Sequence, residues 1–186
     1  RDYKVTGVQT CALPIFYPSS EQTDDAPWFA LRVRSNFEHQ CQSALSSRGM
    51  ETFLPSVKLR RRWSDRVKVI DQPLFPGYVF CRFALSDRGS VLRTPGVVQV
   101  VGAGASPVPV AESELRYIRT VVVEELAARP HPYLAIGQAV RLHRGPLAGA
   151  EGILTAVNGR DSLVLSIGLL QRSVAVEVEA DWVHRA

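Results

Sequence analysis

The residues that could do chemistry in this chain are four histidines, three cysteines and a run of cations, and their spacing favours binding over catalysis. His39, His131, His143 and His184 have no partner at metal-ligand spacing such as HxxxH or HExxH. Cys11, Cys41 and Cys81 are odd in number, widely spaced and lack a CxxC. That argues against a zinc site or a disulfide framework and for a reducing cytoplasm. VGAGASP at 101–107 lacks the third glycine of a dinucleotide loop, and Pro107 and Pro109 stand where its helix would start. There is no Walker A, no G-x-S-x-G, and no pair of carboxylates that the sequence can assign as acid and base. No catalytic residue, metal or cofactor is assigned, and the chain is read as a non-enzyme.

Two stretches carry binding chemistry instead. In KLRRRWSDRVK (58–68), six of eleven residues are basic: Lys58, Arg60, Arg61, Arg62, Arg66 and Lys68, with Trp63 among them. A hairpin turning near Ser64-Asp65 would set these cations on one ribbon, either as phosphate contacts or as a solubilising tip. Arg32 and Arg34 add to the basic side. The second stretch is PLFPGYVF (73–80), continued by Cys81, Arg82 and Phe83. Strand alternation puts Val79, Cys81 and Phe83 on one face and Tyr78, Phe80 and Arg82 on the other. Both faces need cover: a core on one side, and a helix or a partner protein on the other.

The elements that position these stretches are legible in part. WFALRVR alternates Phe29, Leu31 and Val33 with Ala30, Arg32 and Arg34, a strand with one buried face. Ser35 and Glu38 make a capping box for a helix carrying Phe37, Cys41 and Leu45, with Gly49 as its C′ glycine. A short helix is expected over 86–94, a strand from Val97 to Val101, and an amphipathic helix over 111–127 with Leu115, Ile118, Val122 and Leu126. Residues 128–136 (ARPHPYLAI) read as a linker. From 137 on, five short segments (VRL, GILTAV, LVLSI, VAVEV, WVH) predict a small β-barrel. Asn158-Gly159 makes a hairpin turn, and Gly152 relieves a crowded backbone. Residues 1–16 read like translated vector or adapter sequence; 1–26 are set aside as a disordered or non-native leader. The fold class is α+β, with domains at 27–127 and 137–186.

The totals agree. The net charge of +4 is uneven: residues 26–127 hold fourteen Lys/Arg against nine Asp/Glu, whereas 137–186 are balanced. A polyanion would be met by the first domain. No apolar run approaches the ~20 residues that span a bilayer, and no signal peptide is evident.

WFALRVRSNFE, LFPGYVF, RTPGV and GQAVRLHRGPLAGAEGIL, in that order over residues 27–185, resemble the NusG family of bacterial transcription elongation factors. The compact layout is similar to its specialised RfaH-like or UpxY-like paralogues. The resemblance implies an N-terminal NGN domain, an antiparallel sheet flanked by helices, followed by a KOW barrel. It implies a cytoplasmic, monomeric, non-membrane factor that promotes processive elongation or antitermination. Phe75, Tyr78, Phe80, Leu115, Ile118 and Val122 would grip the clamp helices of the largest RNA polymerase subunit. Arg88 and Ser90 would meet the gate loop. Arg34, Arg48, Arg60, Arg61 and Arg62, with Thr94, would meet the non-template DNA strand. Leu169, Leu170 and Arg172 would recruit a small-subunit ribosomal protein or Rho. Gln171 stands where many members carry glycine, and Leu170 where many carry phenylalanine. The alternative from another class is a KOW-type RNA-binding module not tied to the polymerase.

Overall fold

A computed structural model describes residues 26–62, 67–103, 106–132, 138–157, 160–179 and 182–184. In chain order the first domain runs β1 (Trp28–Val33), α1 (Glu38–Ser46), β2 (Glu51–Phe53), β3 (Ser56–Arg62), β4 (Val67–Pro73) and β5 (Tyr78–Arg82). A 3-10 turn at Leu85–Asp87 then leads into α2 (Arg88–Leu92) and β6 (Val97–Val100). The small pair β7 (Gly102–Ala103) and β8 (Ser106–Pro107) precedes β9 (Pro109–Val110) and α3 (Glu112–Val123).

Its main sheet has the order β2-β5-β1-β6, all antiparallel, with β9 also paired to β1. This central place corrects the expectation for the first strand. Trp28 to Leu31 and Val33 are all buried, and within β1 only Arg32 is exposed, because elements cover both sheet faces. The basic ribbon forms as a separate hairpin, β3 against β4, from Ser56↔Pro73 to Arg62↔Val67. The expected turn at Ser64-Asp65, with Trp63 and Arg66, lies outside the described residues, as do the leader and Asn158-Gly159.

Both long helices end by a stated device. After α1, Gly49 takes φ +79°, with Gly49 N–H donating to the Ser46 carbonyl (2.9 Å) and Met50 N–H to that of Leu45 (3.2 Å). These are the two bonds of a Schellman cap, at the glycine expected for it. The start of α1 differs from expectation. Among the described residues no side chain caps it, and Glu38 is buried with its carboxylate accepting the Gly77 N–H at 2.8 Å. The would-be capping-box residue thus ties the helix to the turn before β5. Helix α3 stops at Val123 because Glu125 takes a left-handed φ of +49°, with bonds from Glu125 and Leu126 back to Val122 and Val121. Its buried residues are Leu115, Ile118 and Val121, so Val121 occupies the place expected for Val122, which is half-buried.

The second domain is one antiparallel sheet of six strands. They are β10 (Ala128–Pro132), β11 (Gln138–Leu142), β12 (Glu151–Val157), β13 (Arg160–Ile167), β14 (Arg172–Glu177) and β15 (Val183–His184). Their order is β10-β14-β13-β12-β11-β15. The expected linker is thereby shortened at its start: 128–132 pair with β14, Ala128↔Val176 through Pro132↔Arg172. Two prolines are tolerated there because β10 is an edge strand, where missing N–H donors leave no ladder broken on the outer side.

Candidate functional site

The aromatic strand divides as its alternation predicts. Val79, Cys81 and Phe83 join a cluster with Phe29, Leu31, Cys41 and Leu45, Phe29 and Phe83 having ring centres 4.8 Å apart. Burial pushes the Cys81 thiol up to about 12, with the Glu51 charge adding to the effect; burial, then Glu38, raises Cys41. On the opposite face Phe80 lies between Phe75, edge-on at 5.8 Å, and Phe53 at 6.2 Å. Phe75, Phe80, Leu115 and Ile118 come together in one fully buried group with Trp28 and Val121. Tyr78 and Val122 are half-buried at its edge. Arg82 closes the end of this face, held by Glu51 (3.1 Å) and Glu112 (3.4 Å) and lying 5.0 Å over the Trp28 ring.

The cover on this second face comes partly from within the chain. The same apolar cluster continues into Val140, Leu142, Leu147, Leu163, Ile167 and Leu170 of the second domain. Two hydrogen bonds from α3 fasten the contact. The Tyr117 hydroxyl donates to the Gly149 carbonyl (2.9 Å), and the Glu114 carboxylate accepts the Gly168 N–H (3.2 Å). Sequence reasoning missed this pair. Its only signal was two polar groups three residues apart, flanking the apolar stripe of the helix. The predicted partner-recruiting segment sits in this contact zone. Leu170 is buried in the shared cluster, Leu169 is half-buried against it, and Arg172 is exposed. Gln171 between them takes φ +50°, the conformation that glycine adopts freely.

The family model for "Transcription termination factor nusG" matches residues 26–119, just over half of the chain, including the aromatic strand and most of α3. The chain belongs to the NusG family. It is 27% identical over 168 residues to the transcription termination/antitermination protein NusG of Thermus thermophilus, covering 83% of this chain and 91% of that one. The Lactococcus lactis NusG is 25% identical over 169 residues (83% and 90% covered). The Thermotoga maritima NusG, solved for its domain interaction, shares the fold at a TM-score of 0.53 and 20% identity, over 86% of this chain and 96% of that one. These relatives carry the general NusG name, and the chain accordingly stands among transcription termination/antitermination factors that act with the transcription machinery. No helix among the described residues is long and apolar enough to cross a membrane.

Of the residues expected to meet nucleic acid in this NusG-family chain, Thr94 lies beneath the surface. Its hydroxyl accepts from Arg48 (2.9 Å), which also donates to the Ser90 carbonyl (3.1 Å). Arg48 and Thr94 therefore brace the end of α2 against α1, and a strand could reach Thr94 only by breaking them apart. Arg34 and Arg60 are exposed. Arg60 stands opposite Val69 on the hairpin, and the backbones of Arg61 and Arg62 stand opposite Lys68 and Val67. Beside them Val67 and Val69 are more than half exposed, so the ribbon mixes cations with bare aliphatic surface. Of the gate-loop pair, Arg88 and Ser90 are both half-buried, with the Arg88 Nε enclosed and unpartnered among the described residues. Gly152 is crowded as expected, a Cβ there falling 2.6 Å from the Val164 carbonyl oxygen.

Proposed function

We propose that this NusG-family chain is an elongation factor that docks on RNA polymerase through the face built by β5 and α3. On this reading the clamp helices of the largest polymerase subunit are the partner, and Tyr78 and Val122 at the cluster edge make the first contact. The observation that carries it is the gathering of Phe75, Tyr78, Phe80, Leu115, Ile118 and Val122 into one apolar cluster, five of the six lying within the family match. A partly exposed aromatic at the rim of such a cluster is the usual anchor of an interface. The second domain shares this cluster, so polymerase and the second domain compete for one surface. Docking then releases the KOW segment with Leu169, Leu170 and Arg172, which recruits a ribosomal protein or Rho at raised effective concentration. The hairpin cations and Arg34 are the contacts to the non-template strand, and Arg88 and Ser90 face the gate loop. The factor acts by binding the elongating state more tightly than the paused one.

The test is capture of bacterial RNA polymerase by the full chain, beside Tyr78→Asp and Val122→Asp. Both sites are only half-buried, so the fold should survive, as circular dichroism would check. Loss of capture in the two variants is the expected result. Capture equal to wild type would place the docking surface elsewhere.

A further inference from the structure

A concavity lies where the two domains meet, bordering the apolar cluster at Tyr78, with a volume of about 450 Å³. Its wall includes Arg32 and Arg34 of the first domain, Pro76 and Gly77 of the turn before β5, Tyr78 at the start of β5, and Arg172 of the second domain. All three arginines are exposed, and among the described residues no carboxylate lines the cavity. Glu38, bonded to the Gly77 N–H, is buried and absent from the wall. Among the described residues none of the three guanidinium groups has an ion pair, hydrogen bond or ring contact. Elsewhere in the chain Arg82, Arg119 and Arg141 each have a carboxylate, and Arg116 bonds the Tyr117 hydroxyl.

Three unpaired cations facing one small cleft repel each other, and the domain contact is what brings the third to the other two. An anion in the cleft turns that repulsion into attraction. Guanidinium groups suit phosphate in particular, through paired N–H donors in a fixed plane. A cleft of this size holds a small phosphorylated ligand or one or two nucleotides of a strand.

We propose that Arg32, Arg34 and Arg172 form a composite phosphate-binding site that exists only while the domains are in contact. Because the site needs both domains, its ligand stabilises their contact by linkage. The phosphate acts as a latch on the closed arrangement. The inference rests on the domain contact and not on polymerase docking, so its test contains no polymerase.

The experiment is calorimetric titration of the full chain at low salt with inorganic pyrophosphate and, separately, with a dT12 single strand. Arg32→Gln and Arg172→Gln are expected to weaken binding about five- to tenfold each, because each removes one charge-assisted contact. Arg141→Gln, a second-domain arginine paired with Glu151 and outside the cleft, should leave it unchanged. Pyrophosphate should also raise the thermal midpoint of wild type and not that of Arg172→Gln. Binding of both probes means that a free phosphate suffices; binding of dT12 alone assigns the phosphate to a nucleic-acid strand. Either supports the site. Absence of binding by both probes overturns it, as does an Arg172→Gln variant that binds like wild type.

Discussion

Phe80 illustrates how one side chain can be read two ways from sequence. As a strand residue on the aromatic face it could be a partner anchor or core, and its complete burial between Phe75 and Phe53 makes it core in this arrangement. Phe80→Ala should therefore cost about 3–5 kcal/mol of stability, whereas Tyr78→Ala, at the rim, should cost clearly less. Denaturant unfolding of the two variants measures the difference. Equal losses would mean that the two aromatics share one environment. Cys81 makes a pH prediction with a definite sign. Burial keeps its thiol protonated to about pH 12 in the fold, against 9.0 for an unperturbed thiol. The raised value contributes stability that is complete below pH 9 and is lost as pH climbs from there toward 12, since only the unfolded thiol ionises in that window. Cys81→Ala should show a shallower alkaline loss of stability than wild type.

At the scale of the element, strands and helices are held in register by a few close approaches. Gly152 in β12 stands opposite Val140 of β11, and any Cβ would press on the Val164 carbonyl of β13. Backbone cannot yield as a flexible side chain does. Gly152→Ala should destabilise the chain by about 1–3 kcal/mol, read as a lower denaturation midpoint. An unchanged midpoint would mean that β12 and β13 are free to part. Helix α3 shows the limit of periodicity. Leu115, Ile118 and Val122 do lie near one face, but a helix clasped between a sheet and a second domain buries a wider arc, and Val121 extends it on one side.

For the whole molecule, the decisive feature is the length of chain between the domains. With β10 paired to β14, only residues 124–127 join α3 to the second sheet, a reach of roughly 14 Å when extended. Releasing the proline-bearing edge strand would add the following residues to the tether. The contact itself is fastened by Tyr117 and Glu114 over shared apolar surface. The double variant Tyr117→Phe, Glu114→Ala should loosen it with little effect on either core, and it should raise capture of RNA polymerase above wild type. Hydrogen exchange at the Gly168 amide should accelerate in parallel. Capture that falls or stays level would mean that the second domain does not compete for the docking face.

Sequence alone determined what depends on neighbours along the chain: the Gly49 helix stop, the alternating faces of PLFPGYVF, the basic hairpin, the strand-rich second half and the family resemblance. Each rests on local sterics or on a short period, which a sequence displays directly. Tertiary structure decided what depends on distant groups meeting. Glu38 left its capping box because the Gly77 N–H offered a buried partner, and Thr94 was taken from solvent by Arg48. The first five residues of the expected linker, 128–132, became a strand because β14 presented an open edge. The second face of the aromatic strand lies in one apolar cluster with α3 and with the second domain, and no period along the chain encodes which surface another will meet.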